Sequence, residues 1–114
     1  MKLVKKVIES IVILDITGEI RLGESASQLT VELEKILNDQ SVKGVILNME
    51  NINYIDSTGL GELVGYLGRF KDMGKKLRLV KPNMTVTNLL RLTKLDTVFT
   101  IKADEESALE DFAE

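Results

Sequence analysis

The chain has 114 residues, 44% of them hydrophobic, a formal net charge of −3, and neither cysteine nor histidine. This length and composition predict one domain over 1–114 with a buried hydrophobic core, rather than a disordered segment. Without cysteine or histidine, the composition excludes disulfides, thiolate nucleophiles, serine–histidine catalysis and most transition-metal sites. The acidic balance and the absence of tryptophan disfavour direct binding of nucleic acid.

The sequence contains no pattern typical of a targeting or membrane segment. Residues 1–10 carry three lysines and no long apolar run, which is unlike a signal peptide. No apolar run approaches the ~20 residues that a membrane-spanning helix needs. We therefore predict a cytoplasmic protein with no membrane partner and no cofactor. The only metal that this composition still allows is an oxygen-ligated ion such as Mg²⁺, and no metal site is predicted.

The first half of the chain predicts two strands, a helix and a third strand. Leu3–Ile8 and Ile11–Thr17 are apolar, β-branched runs separated by two residues, which predicts a tight hairpin. Apolar residues then recur at helical spacing over Ser25–Asn38, and a capping-box pattern opens this helix. Gly44–Met49 contains an uninterrupted apolar run, which is typical of a short central strand.

The second half predicts a long helix followed by alternating strands and helices. The long helix covers Ser57–Met73 and ends at Gly74, the residue type favoured just after a helix. The later elements are a strand, a helix capped by Asn83, a strand and an acid-rich helix, at Leu77–Val80, after Pro82, at Val98–Ile101 and from Asp104. The order β-β-α-β-α-β-α-β-α predicts an α/β fold in which helices cover a mixed sheet with parallel later strands.

Three glycines, Gly61, Gly65 and Gly68, lie on one strip of the predicted long helix. Each glycine costs a helix interior about 1 kcal/mol relative to alanine, so three on one strip need an explanation. Two explanations stay open: a neighbouring element of the same fold packs closely there, or a partner protein does.

The connection between the third strand and the long helix carries the candidate functional residues. Asp56, Ser57 and Thr58 are short polar residues of the types that cap helices, and Gly59 follows them. Helix capping is the ordinary role of such residues. Two hydroxyls and a glycine, where one cap would suffice, shift the balance only modestly towards a functional role for Ser57.

Three catalytic or nucleotide-binding motifs match the sequence poorly. Gly59–Gly65 has one residue too many for a dinucleotide fingerprint and lies within a helix. Gly68–Lys76 is too long for a phosphate loop and has lysine where serine or threonine would bind Mg²⁺. Asp56–Gly59 is like an aspartic-protease triplet with an inserted residue, but one such domain supplies only one of the two carboxylates required, unless a dimer provides the second. We therefore predict that the protein is not an enzyme and has no catalytic residues.

The same segment carries a family resemblance. Val45–Met49 together with Ile52–Gly61, which includes Asp-Ser-Thr-Gly-Leu-Gly, closely resembles STAS-domain anti-sigma factor antagonists. Supporting similarity at Gly18–Ile20, Lys76–Pro82, Leu92–Asp96 and Phe99–Ile101 extends the resemblance over nearly the whole chain. Asn48 is a departure, because many members carry aspartate there. The resemblance implies a single STAS-like domain.

The resemblance also implies a partner switch. Members are phosphorylated, on the serine that matches Ser57, by a cognate anti-sigma factor that is also a serine kinase. The unphosphorylated form binds that anti-sigma factor and frees the sigma factor, and a PP2C-type phosphatase restores this form. We expect Asp56 and Thr58 to shape the acceptor's surroundings, and Gly59 and Gly61 to permit close approach of the partner. Thr58 stays open as an alternative acceptor.

Two other functions remain open from the sequence. The chain could be a non-switching STAS interaction subunit of a transporter assembly or a signalling scaffold, in which Ser57 is never modified. It could also be an enzyme or nucleotide-binding protein, although the missing histidine and cysteine and the failed loop spacings argue against this. The oligomeric state is open in every case.

Overall fold

The computed structural model describes residues 1–112 and contains a five-stranded sheet with strand order β1-β2-β3-β4-β5. β1 is antiparallel to β2, and the other neighbouring pairs are parallel. The predicted element order and mixed sheet are confirmed, while residues 113 and 114 of the predicted domain lie outside the described residues. The elements are β1 Lys2–Ile8, β2 Ile11–Ile20, α1 Glu24–Asn38, β3 Gly44–Ile55, α2 Ser57–Asp72, β4 Lys76–Val80, α3 Met84–Leu92, a 3-10 turn Leu95–Thr97, β5 Thr100–Lys102 and α4 Glu105–Phe112.

Two predicted helix ends are confirmed in detail. Gly74 has a φ of 72° and follows α2, and its N–H donates to the Lys71 carbonyl at 3.0 Å. The side-chain oxygen of Asn83 accepts a hydrogen bond of 3.0 Å from the Val86 N–H and so caps α3. Both ends are determined by residues within a few positions of the helix terminus.

The predicted ends of β2 and β3 are wrong, because both strands are longer than expected. β3 continues past Met49 to Ile55, and β2 continues through Gly18 to Ile20. The added parts pair with each other, and Ile52 and Ile55 turn inward between exposed polar residues. Long-range pairing therefore keeps a polar segment in the sheet that would otherwise form a loop.

Two further boundaries also differ from prediction. The expected capping box at Ser25 is absent, because the Ser25 hydroxyl accepts from the Arg21 N–H at 2.7 Å and donates to the Arg21 carbonyl at 3.2 Å. The last strand begins at Thr100, and the exposed Val98 lies before it. The Val98 N–H donates to the Leu95 carbonyl at 3.0 Å, so in both places a nearby main-chain contact replaces the predicted local pattern.

The sheet has a helical layer on each face. The larger core lies between the sheet and α1, α2 and α3, and its most deeply buried members include Leu14, Leu33, Leu47 and Phe70. The smaller core joins α4 to the other face at Ile11, Ile13, Ile46, Val80 and Ala108. Each of the buried valine, leucine, isoleucine and phenylalanine side chains contributes about 1.5–3 kcal/mol. Because β2 and β3 are parallel, the loop after β2 and the start of α2 meet at one edge of the sheet.

Candidate functional site

Asp56 is the cap of α2 and also fastens the loop between β2 and α1. One carboxylate oxygen accepts from the Gly59 N–H at 2.8 Å, and the other accepts from the Leu22 N–H at 2.8 Å. These two backbone donors hold the pKa of Asp56 below its ordinary value, with the Gly59 bond the larger cause. Asp56 is therefore an ionised carboxylate whose two oxygens are both committed to the main chain.

Ser57 is the first residue of α2, and its side chain is exposed. Its hydroxyl makes no hydrogen bond within residues 1–112, because Asp56 already caps the helix. The ordinary explanation for a serine at a helix start therefore does not apply here. The hydroxyl oxygen is accessible to another macromolecule.

The next two residues are less exposed than Ser57. Thr58 is half-buried and Gly59 is buried. A Cβ atom at Gly59 would lie 2.7 Å from Cγ2 of Ile20 and 3.2 Å from Cγ2 of Ile55. The predicted reason for this glycine, close approach of a partner, is therefore corrected: the absence of a side chain at Gly59 lets α2 pack on β2 and β3.

Gly61 has the opposite environment. It is exposed, and apart from the adjacent residues and the backbone of α2 itself no atom of the described residues lies within 4 Å of a Cβ placed there; the same holds for Gly65 and Gly68. Close packing by a neighbouring element within residues 1–112, one of the two predicted explanations for the strip, is therefore wrong. Ser57 lies one helical turn before Gly61 and shares its outward face.

The structure brings a group to this site that we did not predict. The guanidinium of Arg21 lies 4.4 Å from the centre of the Tyr54 ring, and Arg21 Nε donates to Glu19 Oε2 at 2.6 Å. Leu22, next in the chain, is 76% exposed. The signal for this group was the parallel pairing of β2 with β3, which places Glu19 beside Tyr54 and Ile20 beside Ile55.

The site presents an exposed hydroxyl at Ser57 and a bare strip of helix backbone from Gly61 onward. An exposed hydroxyl follows an ionised carboxylate, and neither a histidine nor a cysteine exists in the chain to activate it. Throughout residues 1–112, no cluster of three or more acidic side chains is placed to hold a metal ion. None of the helices formed by these residues is long and apolar enough to cross a bilayer.

Comparison with known proteins agrees with the predicted resemblance. The STAS domain family model matches residues 2–108. An anti-sigma-B factor antagonist of Staphylococcus aureus is 30% identical over 92 residues, covering 77% of this chain and 85% of the relative.

Solved structures give the same result. A candidate anti-sigma factor antagonist from Thermotoga maritima superposes with a TM-score of 0.88 and 27% identity, over 98% of this chain and 95% of that one. The Bacillus protein SpoIIAA, 20% identical, shares the fold in its unphosphorylated form (TM-score 0.82, 98% and 96% of the two chains) and its phosphorylated form (0.75, 97% and 99%). With a family model that matches nearly the whole chain and a fold that these structures share, the chain belongs to the STAS domain family.

Proposed function

We propose that this protein is a cytoplasmic anti-sigma factor antagonist controlled by phosphorylation of Ser57. Its unmodified form binds an anti-sigma factor that is also a serine kinase, and thereby frees a sigma factor. The kinase transfers the γ-phosphoryl group of ATP to the Ser57 oxygen: the new oxygen–phosphorus bond forms as the bond from the γ-phosphorus to ADP breaks, ADP leaves, and the hydroxyl proton is released. The complex then dissociates. A PP2C-type phosphatase restores the binding form. The observation that carries the proposal is the exposed Ser57 hydroxyl at the start of α2, which makes no hydrogen bond within residues 1–112.

The described functions of the relatives support this proposal. The Staphylococcus aureus relative is an anti-sigma-B factor antagonist. SpoIIAA, an anti-sigma factor antagonist, exists in an unphosphorylated and a phosphorylated form. The proposal transfers both properties, antagonist function and phosphorylation, to this chain.

The surroundings of Ser57 favour a change of surface over a change of fold. A phosphate adds about −1.5 to −2 charges, and the N-terminus of a helix stabilises a negative charge. Because the Ser57 hydroxyl bonds to nothing within residues 1–112, its modification breaks no internal hydrogen bond, and Asp56 keeps its bonds to Gly59 and Leu22. The phosphorylated protein therefore keeps its core.

A partner docked on the outer face of α2 would meet the phosphate directly. Ser57 and Gly61 share that face, and the bare backbone at Gly61 permits close approach. Asp56 and Thr58 flank the acceptor, and the Asp56 charge adds to the repulsion. A loss of ~3–4 kcal/mol in binding would weaken the complex several hundredfold.

Two substitutions at Ser57 test the proposal by calorimetric titration against the cognate anti-sigma factor. Ser57→Asp places a negative charge at the acceptor and should weaken binding, while Ser57→Ala should bind as tightly as the unmodified protein even after incubation with kinase and ATP. Ser27→Asp is the matched control, because Ser27 is exposed on α1 and its hydroxyl, like that of Ser57, makes no hydrogen bond within residues 1–112. This control should bind normally.

Phosphosite mapping decides between the two hydroxyls. After incubation with the kinase, we expect phosphate on wild type and on Thr58→Ala, and none on Ser57→Ala. If Ser57→Ala and Ser57→Asp bind like wild type before and after kinase treatment, Ser57 is not the switch. The chain would then be a non-switching interaction subunit of its family.

A further inference from the structure

Arg21 holds unused hydrogen-bonding capacity beside the candidate site. Its side chain is 54% exposed and is held by one bond from Nε to Glu19 and by the face of the Tyr54 ring. Its two terminal amino groups donate no hydrogen bond within residues 1–112. A guanidinium has five N–H donors, so most of those of Arg21 are available to another acceptor.

The backbone of Arg21 is fixed in place next to the start of α2. The residue before it, Ile20, accepts from the Asp56 N–H at 3.1 Å, and the residue after it, Leu22, donates to the Asp56 carboxylate at 2.8 Å. The Ser25 hydroxyl adds a bond to the Arg21 N–H. Arg21 is therefore tied on both sides to the residue that is covalently bonded to Ser57.

The charges around Arg21 favour a stronger anion than the one it now holds. Glu19 offers a single bond to Nε, and Asp56 uses both carboxylate oxygens on the main chain. A phosphoserine brings up to two charges and three acceptor oxygens, and the planar guanidinium matches two of these oxygens at once. A phosphate on Ser57 would also repel Glu19.

We propose that Arg21 senses the phosphate: when Ser57 is phosphorylated, the guanidinium exchanges the Glu19 carboxylate for the phosphate oxygens. This inference rests on the proposed function, since it takes Ser57 as the modified residue. The exchange leaves the Glu19 carboxylate without its cation, so phosphorylation alters the β2–α1 loop as well as α2. A partner that contacts both elements would then meet two changes in charge.

The test uses the full chain with phosphoserine installed at position 57 during translation, which requires no kinase. The phosphate is titrated by phosphorus NMR through its second ionisation, at about pH 6. We expect the phosphate pKa to be lower in the wild-type background than in Arg21→Gln, by about one pH unit. Arg21→Lys keeps the positive charge but lacks the planar guanidinium that can bind two phosphate oxygens at once, so it should give an intermediate phosphate pKa.

Arg69→Gln is the matched control. The Arg69 side chain is 51% exposed, pairs with a glutamate at 2.6 Å and lies 5.0 Å from the centre of a tyrosine ring, but it is on the last part of α2. This variant should leave the phosphate pKa unchanged. Equal phosphate pKa values in wild type and Arg21→Gln would overturn the proposal.

A second readout needs no substitution. The Nε–H resonance of Arg21 should move between the unmodified and phosphoserine proteins, while that of Arg69 stays in place; an unmoved Arg21 resonance would contradict the exchange. Failure here leaves the proposed function intact, because phosphorylation would still block docking. Failure of a kinase to modify Ser57 would instead refute the proposed function without altering the result for Arg21.

Discussion

The two ends of α2 each have an arginine paired with a glutamate beside a tyrosine, but the pairs differ in how many donors they use. Near the C-terminal end, both terminal amino groups of Arg69 donate to Glu34, at 2.6 and 2.8 Å, and the Tyr66 hydroxyl donates to the same carboxylate at 2.7 Å. Near the N-terminal end, Arg21 uses only Nε towards Glu19.

The position of each pair matches its geometry. Glu34 lies on α1 and Arg69 on α2, so their bidentate ion pair connects the two helices. Glu19 and Arg21 are two residues apart at the end of one strand, so their bond connects no separate elements. The number of committed donors, rather than the existence of a salt bridge, separates a structural tie from a cation that is available to a new ligand.

The largest effect of a substitution on folding stability is expected where the N-terminal end of α2 packs on the sheet. Gly59→Ala places a methyl group 2.7 Å from Cγ2 of Ile20, so neighbouring atoms must move. We expect a loss of about 1–3 kcal/mol in the free energy of unfolding, measured by urea denaturation. A variant as stable as wild type would show that the first turn of α2 is not held tightly against β2 and β3.

Gly61→Ala, two residues further along, should change the free energy of unfolding in the opposite direction and by a smaller amount. Apart from the adjacent residues and the backbone of α2 itself, no atom of the described residues lies within 4 Å of its methyl group, so the gain in helix propensity should stabilise the protein by about 0.5–1 kcal/mol. The same methyl group should weaken binding to the anti-sigma factor, because the proposed partner lies on this face. Increased stability with unchanged affinity would place the partner elsewhere.

Local patterns in the sequence were sufficient for much of the fold. The apolar periodicities, Gly74 and the Asn83 cap predicted the elements and their order, because each signal acts within a few residues. The end of β3 was not predictable in this way. Its polar residues Glu50, Asn51 and Asn53 are typical of a loop, and only pairing with β2 keeps them in the sheet.

The candidate site likewise has features that local sequence patterns predict and features that depend on long-range contacts. The polar residues after β3, with Ser57 among them, stand together in the sequence and were predicted as a group. The distinct roles of Gly59, which packs inward, and Gly61, which faces outward, depend on what lies across from each. Arg21 is 36 positions before Ser57 in the numbering and reaches the site only through the parallel pairing of two strands, so no local pattern reveals it.

The smallest effect on folding stability is expected at the Arg69–Glu34 ion pair between α1 and α2, and it should depend on pH. Hydrogen bonds from Arg69, then from Tyr66, lower the pKa of Glu34 from 4.5 to about 2. Because the folded-state pKa is depressed, the stabilisation is present above about pH 4.5 and is lost as the pH falls to about 2. The advantage of wild type over Glu34→Gln should therefore shrink across this window, and it should be modest and sensitive to salt because the pair is exposed.

Urea denaturation of both proteins at a series of pH values measures this difference. Glu62→Gln is the control, since Glu62 is exposed on α2 and forms no ion pair within residues 1–112. A wild-type advantage that did not change with pH would mean that Glu34 is not the ionised acceptor of this tie. Because the tie lies near the far end of α2 from Ser57, Glu34→Gln should also leave the phosphoserine pKa and partner binding unchanged. Stability would then respond to one arginine–glutamate pair and phosphate recognition to the other.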